Sequence, residues 1–159
     1  MTIILVTPNM SFLTIFGFFT LSGGSRITTY KSGSTVQRHH NHYMSVIQCS
    51  EDSYFDVTIR MYSPSRTDTL PDQTIALIIG QVAFTKEQAY IEATKMMPIP
   101  GDPTHPTYED TIPNLPNPYV CGVSHVQTPN ASPPTEIMSC INVSARDFVH
   151  DEYKSSSVR

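Results

Sequence analysis

Tryptophan is absent from this chain, and cysteine is scarce, with Cys49, Cys121 and Cys140 the three occurrences. The missing indole removes the commonest aromatic anchor of interfaces and stacking sites, leaving that role to eight tyrosines and seven phenylalanines. An odd number of widely spaced cysteines without a C-x-x-C pair excludes a disulfide scaffold or zinc quartet as the organising device. Small buried thiols in reducing surroundings are expected, and a Cys121 to Cys140 bridge is the alternative if neighbouring strands carry them. Charge is also thin: Asp, Glu, Lys and Arg make up 15% of the residues, with a net charge of −4 at pH 7. That balance fits neither a disordered acidic tail nor a strongly basic nucleic-acid binder.

Long hydrophobic runs are lacking as well. Phe12 to Leu21 is apolar but too short for the roughly twenty residues that a membrane-spanning helix needs, and Pro8, Asn9 and Ser11 interrupt its extension, so no membrane span is expected. No side chain before Arg26 is charged, which deprives a secretory leader of its basic start, although the apolar run followed by Ser22-Gly23-Gly24 does supply a small-residue cleavage site. A first β-strand closed by a turn at Ser22-Gly23-Gly24-Ser25 is the preferred reading. It goes with an intracellular location, cytoplasmic or nuclear; secretion follows if residues 1–24 are a leader. The sequons at Asn9, Asn130 and Asn142 matter only in that second case.

With 159 residues, one domain can bury about two-thirds of its unfolded surface without staples. Its pattern is that of strands. Tyr54 to Tyr62 alternates, placing Phe55, Val57, Ile59 and Met61 toward a core and Tyr54, Asp56, Thr58, Arg60 and Tyr62 outside. Ile75 to Phe84 is apolar on both faces, as in a central strand, with Gly80 marking a bulge. After the turn Thr85 to Gln88, alternation at Ala89, Ile91 and Ala93 predicts a returning strand, against a competing helix from Thr85 to Met97. Two more strands are expected, Tyr119 to Gln127 and Glu136 to Ser144. Arg26 to Tyr43 reads as a solvated loop or irregular strand, and Arg146 to Arg159 as a polar tail with a short helix around Asp147 to Lys154. Seven prolines between Pro98 and Pro118 predict a long loop suited to a binding surface. The pentads Asp68-Thr69-Leu70-Pro71-Asp72 and Asp110-Thr111-Ile112-Pro113-Asn114 repeat one turn chemistry, in which Asx-type hydrogen bonds lead the chain into a strand.

Leu70 to Gly80, Pro98 to Pro103 and Tyr108 to Pro113 resemble a group of small uncharacterised proteins present in many copies in mushroom-forming (basidiomycete) fungi. The resemblance covers roughly residues 43–150. It implies a barrel similar to oligonucleotide-binding folds and carries no known activity, cofactor or site residue. The expected fold class is therefore all-β, a small OB-like Greek-key barrel or sandwich with a long proline-rich loop. Its expected organisation is an N-terminal segment (1–42), a barrel-like domain (43–150) and a polar tail (151–159).

Chemistry is harder to find. There is no G-x-S-x-G, Walker loop or G-x-G-x-x-G, so no catalytic residue is assigned. Cys121 and His125 share a strand face but stand about 13 Å apart, too far to share a proton. The carboxylate pairs Glu51-Asp52, Glu109-Asp110 and Asp151-Glu152 read as solvated turns. His39-His40-Asn41-His42 is the densest set of metal ligands, yet adjacent residues of an extended chain point apart, and no metal or cofactor is expected. Two kinds of partner remain. A binding module for single-stranded nucleic acid would use Tyr54, Tyr62, Tyr90 and Tyr119 to stack bases beside Arg60, Arg66 and Lys95. A protein-protein assembly domain would use the proline loop or a sheet edge. A secreted hydrolase or effector is a third, weaker class.

Overall fold

A computed structural model of the chain describes residues 11–30, 35–50, 53–64, 68–113, 117–123, 125–126 and 143–158. The expected strand Glu136 to Ser144 lies outside them except for its last two positions. The described chain is all-β apart from one turn of 3-10 helix, Glu109–Thr111, and no helix in it is long and apolar enough to cross a membrane. Ten strands form two sheets: β1 (Phe12–Thr20), β2 (Ser22–Tyr30), β3 (Gln37–Ser50), β4 (Ser53–Tyr62), β5 (Ile75–Phe84), β6 (Ala89–Pro98), β7 (Tyr119–Val123), β8 (His125–Val126), β9 (Val143–Val149) and β10 (Glu152–Val158). The larger sheet has seven strands in the order β2-β3-β4-β6-β5-β1-β7, and the smaller has three, β10-β9-β8. All pairs are antiparallel except β4 with β6.

Alternation decides which face of the large sheet is buried. Val57, Ile59, Ile78, Val82, Ile91, Ile15 and Phe19 all point inward with at most 2% exposure, as period-two side chains must when one face packs and the other does not. They pack largely against one another, because the sheet folds back over its own inner face. Leu21 alone joins β1 to β2, although four strands stand between those two in the sheet order, and β1 touches β3 across the interior. Leu21 is fully buried at this corner. Its N–H donates to Thr74 O at 2.8 Å and its carbonyl accepts the Gln73 N–H at 2.8 Å. No ladder joins the edge strands β2 and β7 among the described residues, so the curled sheet is not shown as a closed barrel.

Local chemistry explains the strand ends. Thr85 closes the β5–β6 hairpin by donating its N–H and its hydroxyl to Gln88 O, at 3.0 and 2.8 Å. The segment 85–97 is therefore turn and strand rather than helix. The register shifts between Ile79 and Gly80, where a side chain would meet Glu92 O at 2.4 Å, so the bulge needs glycine. Tyr108 pins the segment after β6: it is 4% exposed, donates its hydroxyl to Ile99 O at 2.9 Å and accepts the Ile75 N–H at 3.2 Å.

Several expectations need correction. Ser22 to Ser25 is not a turn but the bulged start of β2, with Gly23 at φ 60° and its N–H bonded to Asp72 Oδ1 at 2.9 Å. Asp72 of the first pentad thus caps a distant strand instead of its own loop, while the second pentad begins in the 3-10 turn. Most of Arg26 to Tyr43 is strand, paired as β2 with β3 and as β3 with β4; β1, β2 and β3 therefore share one sheet with β4 to β7. Tyr119 to Gln127 splits, since β7 pairs with β1 and β8 pairs with β9 in the other sheet. The tail forms the β9–β10 hairpin, not a helix around Asp147 to Lys154. Its two-residue loop, His150-Asp151, has φ of 55° and 65°, the positive pair that a type I′ turn requires and that His and Asp tolerate better than most side chains.

Candidate functional site

Registers place seven residues opposite one another in a row across the whole large sheet: Ser25, His42, Arg60, Glu92, Gln81, Thr14 and Cys121. Opposed residues share a face, so this row lies on the outer side, and none of its members is aliphatic. The next rows toward the core carry Tyr43, Ile59, Ile91 and Val82.

The middle of the polar row is covered by the β9–β10 turn. Arg60, expected outside, is only 6% exposed, because the turn lies over it and its charge is answered from both sides. Its Nε and Nη2 both reach Glu92 Oε2 at 2.7 Å, and Nη1 donates to Asp151 Oδ2. Burial works against the guanidinium charge, but the bonds to Asp151 and Glu92 outweigh it and raise its pKa. The same bond to Arg60 holds the Asp151 carboxyl below its usual range.

Histidines complete the cluster. The His150 ring lies 5.8 Å from that of His42 and 5.4 Å, edge-on, from that of Tyr90, and its Nε2 donates to Ile91 O at 2.9 Å. Lys154 sits over the Tyr90 ring, 4.0 Å from its centre, and bonds Glu152 at 3.1 Å. Burial, reinforced by His150 and Arg60, pushes the His42 pKa down to about 4. Burial likewise lowers His150, against the bond to Ile91 O, and lowers His40 with help from Arg60. His40, on the same face, meets Tyr62 edge-on at 5.7 Å. The cluster is thus a neutral-histidine, ion-paired seam between the two sheets. Glu92 and Asp151 are matched to Arg60 and Glu152 to Lys154, an arrangement that suits holding the hairpin in place.

Of the residues singled out from sequence, Arg60 and Tyr90 belong to this seam. Tyr54 and Tyr62 are exposed at 62% and 51% but lie at opposite ends of β4, about 26 Å apart along an extended strand. Lys95 opposes Ile79, which opposes Phe16, which opposes Tyr119. Lys95 and Tyr119 therefore lie three strand spacings apart, about 14 Å. Arg66 lies outside the described residues. Sequence reasoning named His42 as a weak metal ligand and Asp151 as a solvated turn residue, and did not single out Glu92, His150 or Lys154 or bring the five together. A signal existed for His42, since His40 and His42 are two apart and fall on one face, whereas His39 turns to the other face and meets Thr28 Oγ1 at 3.0 Å. Among the described residues no three of His, Cys, Asp and Glu are placed to hold a metal ion.

A second feature stands at the end of the row. Every residue of β7 is exposed, the strand pairs with β1 alone among the described residues, and Cys121 at its centre is a free thiol. Searches of family models, curated proteins and solved structures find no match to this chain.

Proposed function

We propose that this chain is a non-catalytic binding module, a half-open barrel of the OB-like, Greek-key kind, which recruits a protein partner by adding that partner's strand to the edge at β7. The supporting observation is β7 itself. It reads Tyr-Val-Cys-Gly-Val, without a charge, and is exposed at all five positions. An unprotected edge offers a row of backbone donors and acceptors to any extended chain, and alternate side chains can then select the partner. The single-strand reading has less support: Arg60 is taken up by Glu92 and Asp151, Lys154 pairs with Glu152, and Tyr54 and Tyr62 stand at opposite ends of β4. Binding to a nucleic-acid backbone needs cations free to replace counterions.

Fluorescence anisotropy with a labelled, uncharged peptide of alternating valine and threonine tests this reading. The signal is expected to rise with protein concentration and to be lost in Val120→Lys, which places a charge on the edge. A protein that ignores the peptide but binds labelled oligothymidylate, and lets it go as salt is added, overturns the reading in favour of nucleic acid.

A further inference from the structure

The two edges of the large sheet are treated differently. β2 carries Arg26, a register shift between Ser22 and Ser25, and Gly23 in the left-handed region; a charge and a bulge are common means of discouraging strand addition. β7 has neither. Beside it, Phe12 and Val123 oppose each other at 42% and 53% exposure, and Tyr119 is 61% exposed, so an apolar strip accompanies the open edge.

The sequence of β7 is also compatible with itself. Antiparallel pairing about a two-fold axis at Cys121 sets Tyr119 opposite Val123 of a second copy at both ends, and Val120 opposite Gly122. Aromatic and β-branched residues make favourable cross-strand pairs, and with no charge in the strand nothing repels across the axis. We infer that the partner of this edge is a second copy of the chain, joined β7 to β7 in that register as a two-fold dimer with one continuous sheet. Such an interface is isologous and closes on itself, so assembly stops at two. This inference rests on the strand-addition reading of β7 and adds the partner's identity.

The register supplies its own reporter. Directly opposed residues in antiparallel strands have Cα atoms about 4.5–5.5 Å apart, inside the span of roughly 4.4–6.8 Å that a disulfide bridges. Cys121 of the two copies would be such a pair. The test uses the full chain with Cys49→Ser and Cys140→Ser, so that Cys121 is the sole thiol. Sedimentation should show a concentration-dependent dimer. Diamide, taking up two electrons and two protons from the two thiols, should convert that dimer to a covalent one that dithiothreitol reverses. Tyr119→Lys with Val123→Lys, which sets like charges opposite each other twice, should weaken the dimer by about tenfold or more, and Tyr119→Lys with Val123→Glu should restore it.

A dimer that neither cross-links through Cys121 nor responds to the paired charges overturns the inference. A chain that stays monomeric at the highest attainable concentration, yet still binds the valine-threonine peptide, overturns it while leaving strand addition intact. Loss of both dimer and peptide binding removes both. Circular dichroism of the charge variants separates misfolding from dissociation, and the cross-link of the otherwise unaltered strand decides the matter if they misfold.

Discussion

Along β4, Val57 and Ile59 enter the core at 2% and 0% exposure, while Thr58 and Arg60, their neighbours in sequence, stand on the face that the β9–β10 turn crosses. Both faces end up covered at this point, but for different reasons. The inner face is dry because aliphatic side chains leave water favourably and without regard to direction. The outer face is covered through directed contacts, in which Arg60 bonds Glu92 and Asp151 and His150 bonds Ile91 O. One arrangement tolerates exchange of one greasy group for another of similar volume, and the other depends on particular atoms at particular places.

The largest effect should come from the inner face. Ile59→Ala is expected to cost about 3 kcal/mol of unfolding free energy, from lost transfer energy and the cavity left behind, read as a fall in the urea midpoint with little change in slope. A loss near zero would mean that the sheet does not close over this residue. Arg60→Ala on the outer face should cost less, about 2 kcal/mol, because Glu92 and Asp151 keep access to water and can be resolvated once the cation is gone. Its signature should be local: faster amide exchange in β9 and β10 than in β4 to β6. Uniform acceleration would show that the hairpin and the large sheet open as one unit.

The smallest and most specific effect is that of pH. His42 and His150 have folded-state pKa values below the usual 6.5, about 4 for His42. In that interval the unfolded chain binds more protons than the folded one, so stability is full above about pH 6.5 and falls as pH drops toward 4. Replacing both, with His42→Asn and His150→Asn, should make the fall of the urea midpoint between pH 6.5 and 4 shallower, with His40 supplying what remains, asparagine being chosen because it also accepts the positive φ of position 150. An unchanged slope would place the titration elsewhere in the molecule.

These contrasts also explain what could be read in advance. β4, β5 and β6 were legible because their inward residues are nearly all aliphatic and alternate or run continuously. β3 was not, since its inward side carries Asn41, Tyr43 and Ser45 at 7%, 2% and 9% exposure, a pattern that looks polar on both faces. β9 and β10 were hidden for another reason: Arg146, Asp147, Lys154 and three consecutive serines resemble a solvated tail until Val149, Ala145 and Ser156 are seen to be buried. Of the tyrosines and arginines singled out from sequence, Arg60 and Tyr90 stand at the β9–β10 turn, a placement that no single strand announces, because a strand spreads its residues along its length and only neighbouring strands gather them.

By itself the sequence determined that the chain would be built of strands, where the β5–β6 hairpin turns, and which side chains of β4, β5 and β6 face inward, because period-two burial is written locally in residue type. Tertiary structure alone decided that His42, Arg60, Glu92 and Gln81 stand in one row, that the β9–β10 hairpin reaches Arg60 in that row, and that β7 pairs with β1 alone among the described residues. Register and sheet order depend on which distant segments pair, and no single stretch of residues carries that information.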